Sequence, residues 1–292
     1  MPEMAKTETA AYALTVADLL RKQAGTRAHA VALQDARGVL SYVELDRAAS
    51  RLAQALLVRG LRAGDRVAVL SENCREYLQL QLAAAKIGVV VACLNWRLAD
   101  AELTHCLRLV SPRMVFVSAR YAPTLARIEH VVAQVILIET QFDAFLAGVL
   151  EDDPRFDVDP EQGLVILYTS GTTGLPKGAV ISQRAMVARA MCFAAQYGIG
   201  PEHSYVAWSP LFHMAATDFS LATLMIGGKV VVQDGLDVDR LCATIAAEPI
   251  GWLVAMPGMI DVLIDGLRRN ATRPRGVCVV GAMADLVPLQ QI

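Results

Sequence analysis

From Ser41 onward the chain alternates two spacings of apolar residues, one helical and one extended. Ser41-Tyr-Val-Glu44 has the form of a capping box, an N-cap hydroxyl followed three residues later by a carboxylate. Leu45, Ala48, Leu52, Leu56 and Leu57 continue from it at helical spacing, and Gly60 supplies a C-terminal stop. Gly64-Asp65 then turns the chain into an apolar strand, Arg66–Leu70. A helix over Arg75–Lys86 leads to a second strand at Val89–Leu94. Asp100 caps a further helix, and strands follow at Met114–Val117 and Val132–Ile138.

The polar, acidic stretch Glu151–Pro160 reads as a linker. Beyond it the alternation resumes. Strands are predicted at Leu164–Thr169, Ala179–Ile181, Val206–Trp208, Lys229–Val232, Trp252–Ala255 and Val277–Val280. Helices are predicted at Arg184–Gln196, Val238–Ala247 and Met259–Arg268, and Met214–Met225 is apolar at helical spacing. This rhythm predicts an α/β fold of stacked, mostly parallel sheets with flanking helices. It also suggests two consecutive lobes, 1–155 and 156–292. Asp285–Ile292 begins another helix and stops without a cap, so the chain reads as truncated.

Composition narrows the classes without choosing among them. Apolar residues make up 54% of the 292 residues and charged ones 19%, which suits a globular core. Net charge is −2 with no basic concentration, so no nucleic-acid partner is expected. The longest apolar run, near Ile87–Leu94, is too short to span a bilayer, and the N-terminus has no signal core. A cytoplasmic location is therefore expected. The six cysteines form no CxxC pair and read as reduced thiols, most within apolar segments. No metal-ligand cluster is apparent.

Chemistry concentrates in Tyr168-Thr-Ser-Gly-Thr-Thr-Gly-Leu-Pro-Lys-Gly178, directly after a predicted strand. Thr169, Ser170, Thr172 and Thr173 supply hydroxyls. Gly171 and Gly174 let the backbone turn and approach a ligand. Lys177 adds a mobile positive charge, and the whole segment reads as a phosphate cradle. It is not a Walker loop: Pro176 stands where that motif needs its second glycine, and Gly178 replaces the hydroxyl. A ligand-free surface turn is the bland alternative.

This segment resembles, without a gap, the signature loop of the adenylate-forming superfamily, which includes acyl-CoA synthetases. Ser41-Tyr-Val-Glu-Leu, Gly64-Asp-Arg-Val-Ala, Asn95-Trp-Arg-Leu98, Ser209-Pro-Leu-Phe-His213 and Met256-Pro-Gly also resemble family segments, in the right order. The resemblance runs from about Val16 to Leu286.

The resemblance implies the large N-terminal domain of an acyl-CoA synthetase, without its C-terminal lid domain. It implies activation of a carboxylic acid, such as a fatty acid, by ATP with Mg2+, then transfer to the thiol of CoA. It assigns the outer phosphates to Thr169, Ser170, Gly171, Thr172, Thr173, Gly174 and Lys177. It places His213 and Met214 near the adenylate and acyl pocket, and Gly281 and Ala282 against adenine. Met214 stands where peptide-synthetase relatives carry an aspartate for an amino group, which points to a plain carboxylic acid. After the phosphate loop many members read Ser-His, whereas here it is Ser182-Gln183.

The family's magnesium-binding acid, ribose-binding segment and catalytic lysine have no counterpart here. No catalytic residue is therefore assigned, and the chain alone is expected to be inactive and prone to self-association. A non-catalytic remnant, binding nucleotide or acyl groups as an interaction module, is the competing expectation.

Overall fold

The computed structural model describes residues 13–169, 174–256, 258–269 and 276–282. The expected Asp285–Ile292 helix, Pro257 and Met283 lie outside them. Ten helices and twelve strands are described. The helices are α1 (Val16–Thr26), α2 (Tyr42–Val58), α3 (Arg75–Ile87), α4 (Asp100–Val110), α5 (Ala122–Arg127), α6 (Ile138–Phe145), α7 (Gln183–Tyr197), α8 (Met214–Ile226), α9 (Val238–Ala247) and α10 (Met259–Arg269).

Local sequence sets several helix ends. The capping box at α2 forms as expected: Glu44 accepts the Ser41 N–H at 2.7 Å, and Ser41 Oγ accepts from Glu44 N at 3.4 Å. A second box, Thr15 with Asp18, starts α1. At α4 the expectation needs correction. Asp100 is already helical, and Glu102 reaches back to the Ala99 N–H at 2.8 Å.

The strands form two sheets of six. In one, β6 (Gln134–Leu137), β5 (Met114–Val117), β3 (Arg66–Leu70), β4 (Val90–Cys93), β7 (Gly163–Thr169) and β8 (Lys177–Ser182) lie side by side. In the other the order is β12 (Val277–Ala282), β11 (Ile250–Ala255), β9 (Ser204–Ala207), β10 (Lys229–Val232), β1 (Val31–Asp35) and β2 (Gly38–Ser41). Every pairing is parallel except the two outer hairpins, β1–β2 and β7–β8. The mostly parallel α/β architecture is thus as expected.

A cut at residue 155 does not separate these sheets. β1 and β2 precede it yet complete the sheet built by β9–β12, while β7 and β8 follow it yet complete the other. The sequence reading lacked β1 and β2, one of the two strand pairs that cross between the halves. The expected linker is also pinned: Asp153 bonds Arg21 and lies 3.5 Å from Lys86.

Helices fill the space between the sheets. α3 packs on β4 and β7, α2 on α3 and on β1–β2, and α8 on β9 and β10. Buried leucines, valines and alanines from both sheets make one continuous core. Lys86 on α3 is fully buried but bonds Asp46 at 2.7 Å, as a buried charge requires. Gln183, also fully buried, donates to Ala85 O at 3.0 Å and accepts from Val16 N at 3.1 Å, so it ties α7 to α3 and α1. No described helix is long and apolar enough to cross a membrane.

Candidate functional site

The C-terminal edges of both parallel sheets carry the residues singled out in the sequence. On one sheet, β7 ends at Thr169 and the chain returns as β8 from Lys177. Thr169 pairs with Lys177 and Tyr168 with Gly178, so the phosphate segment closes an antiparallel hairpin. Lys177 opens a strand, which agrees with the exclusion of a Walker loop, whose lysine opens a helix.

Ser170, Gly171, Thr172 and Thr173 lie outside the described residues. Thr169, Gly174 and Lys177, which flank them, are exposed. Gly174 has φ +96°, a conformation that favours glycine, and among the described residues nothing lies within 4 Å of where a Cβ would stand. No carboxylate among the described residues pairs with Lys177. Both limbs of the hairpin are held from α4. His105 Nε2 lies 3.1 Å from Pro176 O, and Tyr168 OH donates to Cys106 O at 3.4 Å.

On the other sheet, β9 runs into Trp208–Phe212, and His213 is the N-cap of α8. Its side chain makes no capping bond. The ring packs 4.4 Å from Phe212. Partial burial, followed by the charge of Arg97, lowers the imidazole pKa. Met214 is the first residue of α8 and half-buried, whereas Leu221, Leu224 and Met225 further along belong to the core. Phe219 stacks on Trp252 at 4.8 Å.

Asn73, which the sequence reading did not single out, fixes this edge. Its Nδ2 donates to Ala207 O, Ser209 O and Gln233 O at 2.9, 2.8 and 3.1 Å. Its Oδ1 accepts from Leu211 N at 2.8 Å. One side chain following β3 thus binds the ends of β9 and β10 and the turn into His213. The only signal in the sequence is a polar residue just past an apolar strand.

Gly281 and Ala282 end β12, in register with Val254 and Ala255. Among the described residues, a Cβ on Gly281 would meet only Leu253 O, at 4.0 Å. Trp208 Nε1 donates to Val254 O at 3.1 Å, which places the His213 turn and the Gly281 strand on one edge. The two sheet edges meet through Trp96. It stacks on Tyr121 at 5.4 Å and meets Phe212 edge-on at 5.5 Å. A cavity of about 350 Å³ opens there, lined by Trp96, Trp208 and Pro210 and by the charged side chains of Arg97, Arg120 and Asp234.

The chain belongs to the AMP-binding enzyme family, which it matches over residues 20–289. Among curated proteins it is similar to the fatty acid–[acyl-carrier-protein] ligase ScoC of Streptomyces coeruleorubidus, 37% identical over 151 residues, 51% of this chain and 29% of that protein. It is also similar to the indoleacetate–CoA ligase of Aromatoleum aromaticum, 29% identical over 94% of this chain and 56% of the relative. Among solved structures, the inhibitor-bound N-terminal domain of FACL13 from Mycobacterium tuberculosis superposes with a TM-score of 0.79 at 26% identity, covering 85% of this chain and 64% of that one. The chain thus spans about half the length or less of these two curated relatives, and it corresponds to the N-terminal part of its homologues.

Proposed function

We propose that the protein carrying this chain activates a carboxylic acid with ATP and passes the acyl group to a thiol of CoA or an acyl carrier. A carboxylate oxygen attacks the α-phosphorus, and the bond to pyrophosphate breaks. The thiol sulfur then attacks the acyl carbon, and AMP leaves. Family membership supports the class, and the names of the relatives support both kinds of thiol.

The observation that carries the nucleotide reading is the Thr169–Lys177 hairpin end. An exposed ammonium, an exposed hydroxyl and a glycine at positive φ border one turn. That donor set fits the outer phosphates of ATP. Thr169, Ser170, Gly171, Thr172, Thr173, Gly174 and Lys177 would donate to the pyrophosphate as its charge grows. Gly281 and Ala282, at the end of β12 on the same sheet edge as the His213 turn, would lie against the flat adenine ring. We assign no magnesium ligand. The described residues hold no cluster of three or more candidate ligands.

His213 and Met214 would border the acyl group, and the thioether at the start of α8 favours a plain acid over an amino acid. The test is pyrophosphate release from ATP by the protein carrying this chain, with aliphatic, aryl and amino acids supplied separately. Release with a plain carboxylic acid is the expected result. Release with none of the acids would leave the non-catalytic module as the better account.

A further inference from the structure

We propose that His105 is a positioning residue for the nucleotide, acting by holding the phosphate hairpin at a fixed height on α4. The proposal rests on the nucleotide reading of the hairpin and adds to it a residue outside the loop. The geometry is a two-point grip. Consecutive residues of one helix take the two limbs of the hairpin. The His105 imidazole holds the β8 limb through Pro176 O, and the Cys106 carbonyl holds the β7 limb through the Tyr168 hydroxyl. These contacts fall beside the last paired rungs, Tyr168 with Gly178 and Thr169 with Lys177.

The platform is rigid. Leu103, Cys106, Leu107 and Val110 of α4 are all buried in the core under this sheet. Pro176 is buried as well. Having no N–H, it gives the hairpin no donor of its own, so its carbonyl is the group available to be held. A carbonyl only accepts, so His105 Nε2 carries the proton in this contact. Removing the imidazole takes away the bond that ties the Pro176 carbonyl to α4. The hairpin end, with Lys177 one residue away, then loses its anchor on that side.

A bond of this kind that only orders a phosphate clamp should change ATP binding and leave acid binding alone. The experiment is steady-state kinetics on the protein carrying this chain, with ATP and acid varied separately. It compares His105→Ala, His105→Gln and Lys177→Ala, and follows hydrogen exchange at the hairpin amides. His105→Ala should raise the KM for ATP about fivefold to tenfold, the size of one lost hydrogen bond. The KM for the acid should stay within about twofold on the same principle. Exchange at Lys177 and Gly178 should speed up.

His105→Gln, whose amide nitrogen can occupy the place of Nε2, should restore ATP affinity to near the original value. If Lys177→Ala leaves the KM for ATP unchanged, the nucleotide reading of the hairpin is wrong. If Lys177→Ala raises it while His105→Ala changes neither it nor the exchange, the grip alone is wrong. Equal loss of activity and melting temperature in His105→Ala and His105→Gln would reduce His105 to a packing residue and overturn the proposal.

Discussion

Arg97 stands close enough to His213 for its charge, added to partial burial of the ring, to push the imidazole pKa down. The two come from Asn95-Trp-Arg-Leu98 and Ser209-Pro-Leu-Phe-His213, segments more than a hundred positions apart that meet through Trp96 and Phe212. The guanidinium lies over Trp96 at 4.9 Å and is 5.8 Å from the Phe212 ring, and no described carboxylate pairs with it. Both effects favour the neutral form of the ring.

Substituting Arg97→Gln should raise the His213 pKa toward its ordinary value, measured by NMR titration of the ring protons. The sign for stability follows from the lowered folded value. The unfolded chain binds the proton more readily. The stability contributed by neutral His213 is complete above the ordinary histidine pKa, and it falls as pH drops through the lowered one. A pKa that stays put in Arg97→Gln would show that burial alone sets it.

Asn73→Ala should destabilise the protein by about 3 kcal/mol, since it strands several buried groups at once. Asn73→Asp should fare no better, because a carboxylate cannot donate to the Ala207, Ser209 and Gln233 carbonyls. Urea unfolding midpoints check both. A loss under about 1 kcal/mol would show that the sheet edge holds without this side chain.

Lys177→Ala and Thr169→Ala should separate binding from folding. Both residues are exposed, so unfolding free energy should stay within about 0.5 kcal/mol of the original. ATP affinity, read by calorimetry, should fall by about tenfold for Lys177→Ala, the scale of one charge-assisted bond. Unchanged affinity in both variants would remove the hairpin from the nucleotide site.

Asp153 and Asp35 predict an acid limit. Burial works to raise the Asp153 pKa, but the Arg21 hydrogen bond and the charge of Lys86 outweigh it and bring the carboxyl to about 2. For Asp35 the opposing burial is likewise outweighed, by Arg75 and Arg37, with the same result of about 2. Both folded values lie below the ordinary 3.8. Their stabilisation is present above about pH 4 and is lost as pH falls through about 2.

Asp153→Asn should therefore flatten the stability profile in that window. At neutral pH it should cost about 1–2 kcal/mol, after allowance for solvent screening. It leaves buried Lys86 with Asp46 as its remaining carboxylate. A profile between pH 2 and 4 that keeps its original slope would contradict this.

The legible parts of the molecule are those written in near neighbours. The Ser41–Glu44 box, the strands Arg66–Leu70 and Met114–Val117, and the glycine- and hydroxyl-rich turn after a strand each depend on residues within a few positions of one another. The short helices Ala122–Arg127 and Ile138–Phe145 were not legible, since neither shows enough turns for a period to emerge. Val31–Asp35 and Gly38–Ser41 were missed as well. They are brief, and only a hairpin joins them.

The sequence by itself determined the mostly parallel α/β class, the glycine- and hydroxyl-rich segment between Thr169 and Lys177 directly after a strand, and the family. Each is encoded by local order, by apolar spacing and turn chemistry along adjacent residues. Only the tertiary structure decided which strands share a sheet, and so which edges come together. Parallel pairing runs through backbone N–H and C=O groups that every residue carries, so it leaves little mark on side-chain pattern. The placing of β1 beside β10, Asn73 under the His213 turn and His105 under Pro176 arose from packing helices against the faces of the two sheets, where residues remote in the chain become neighbours.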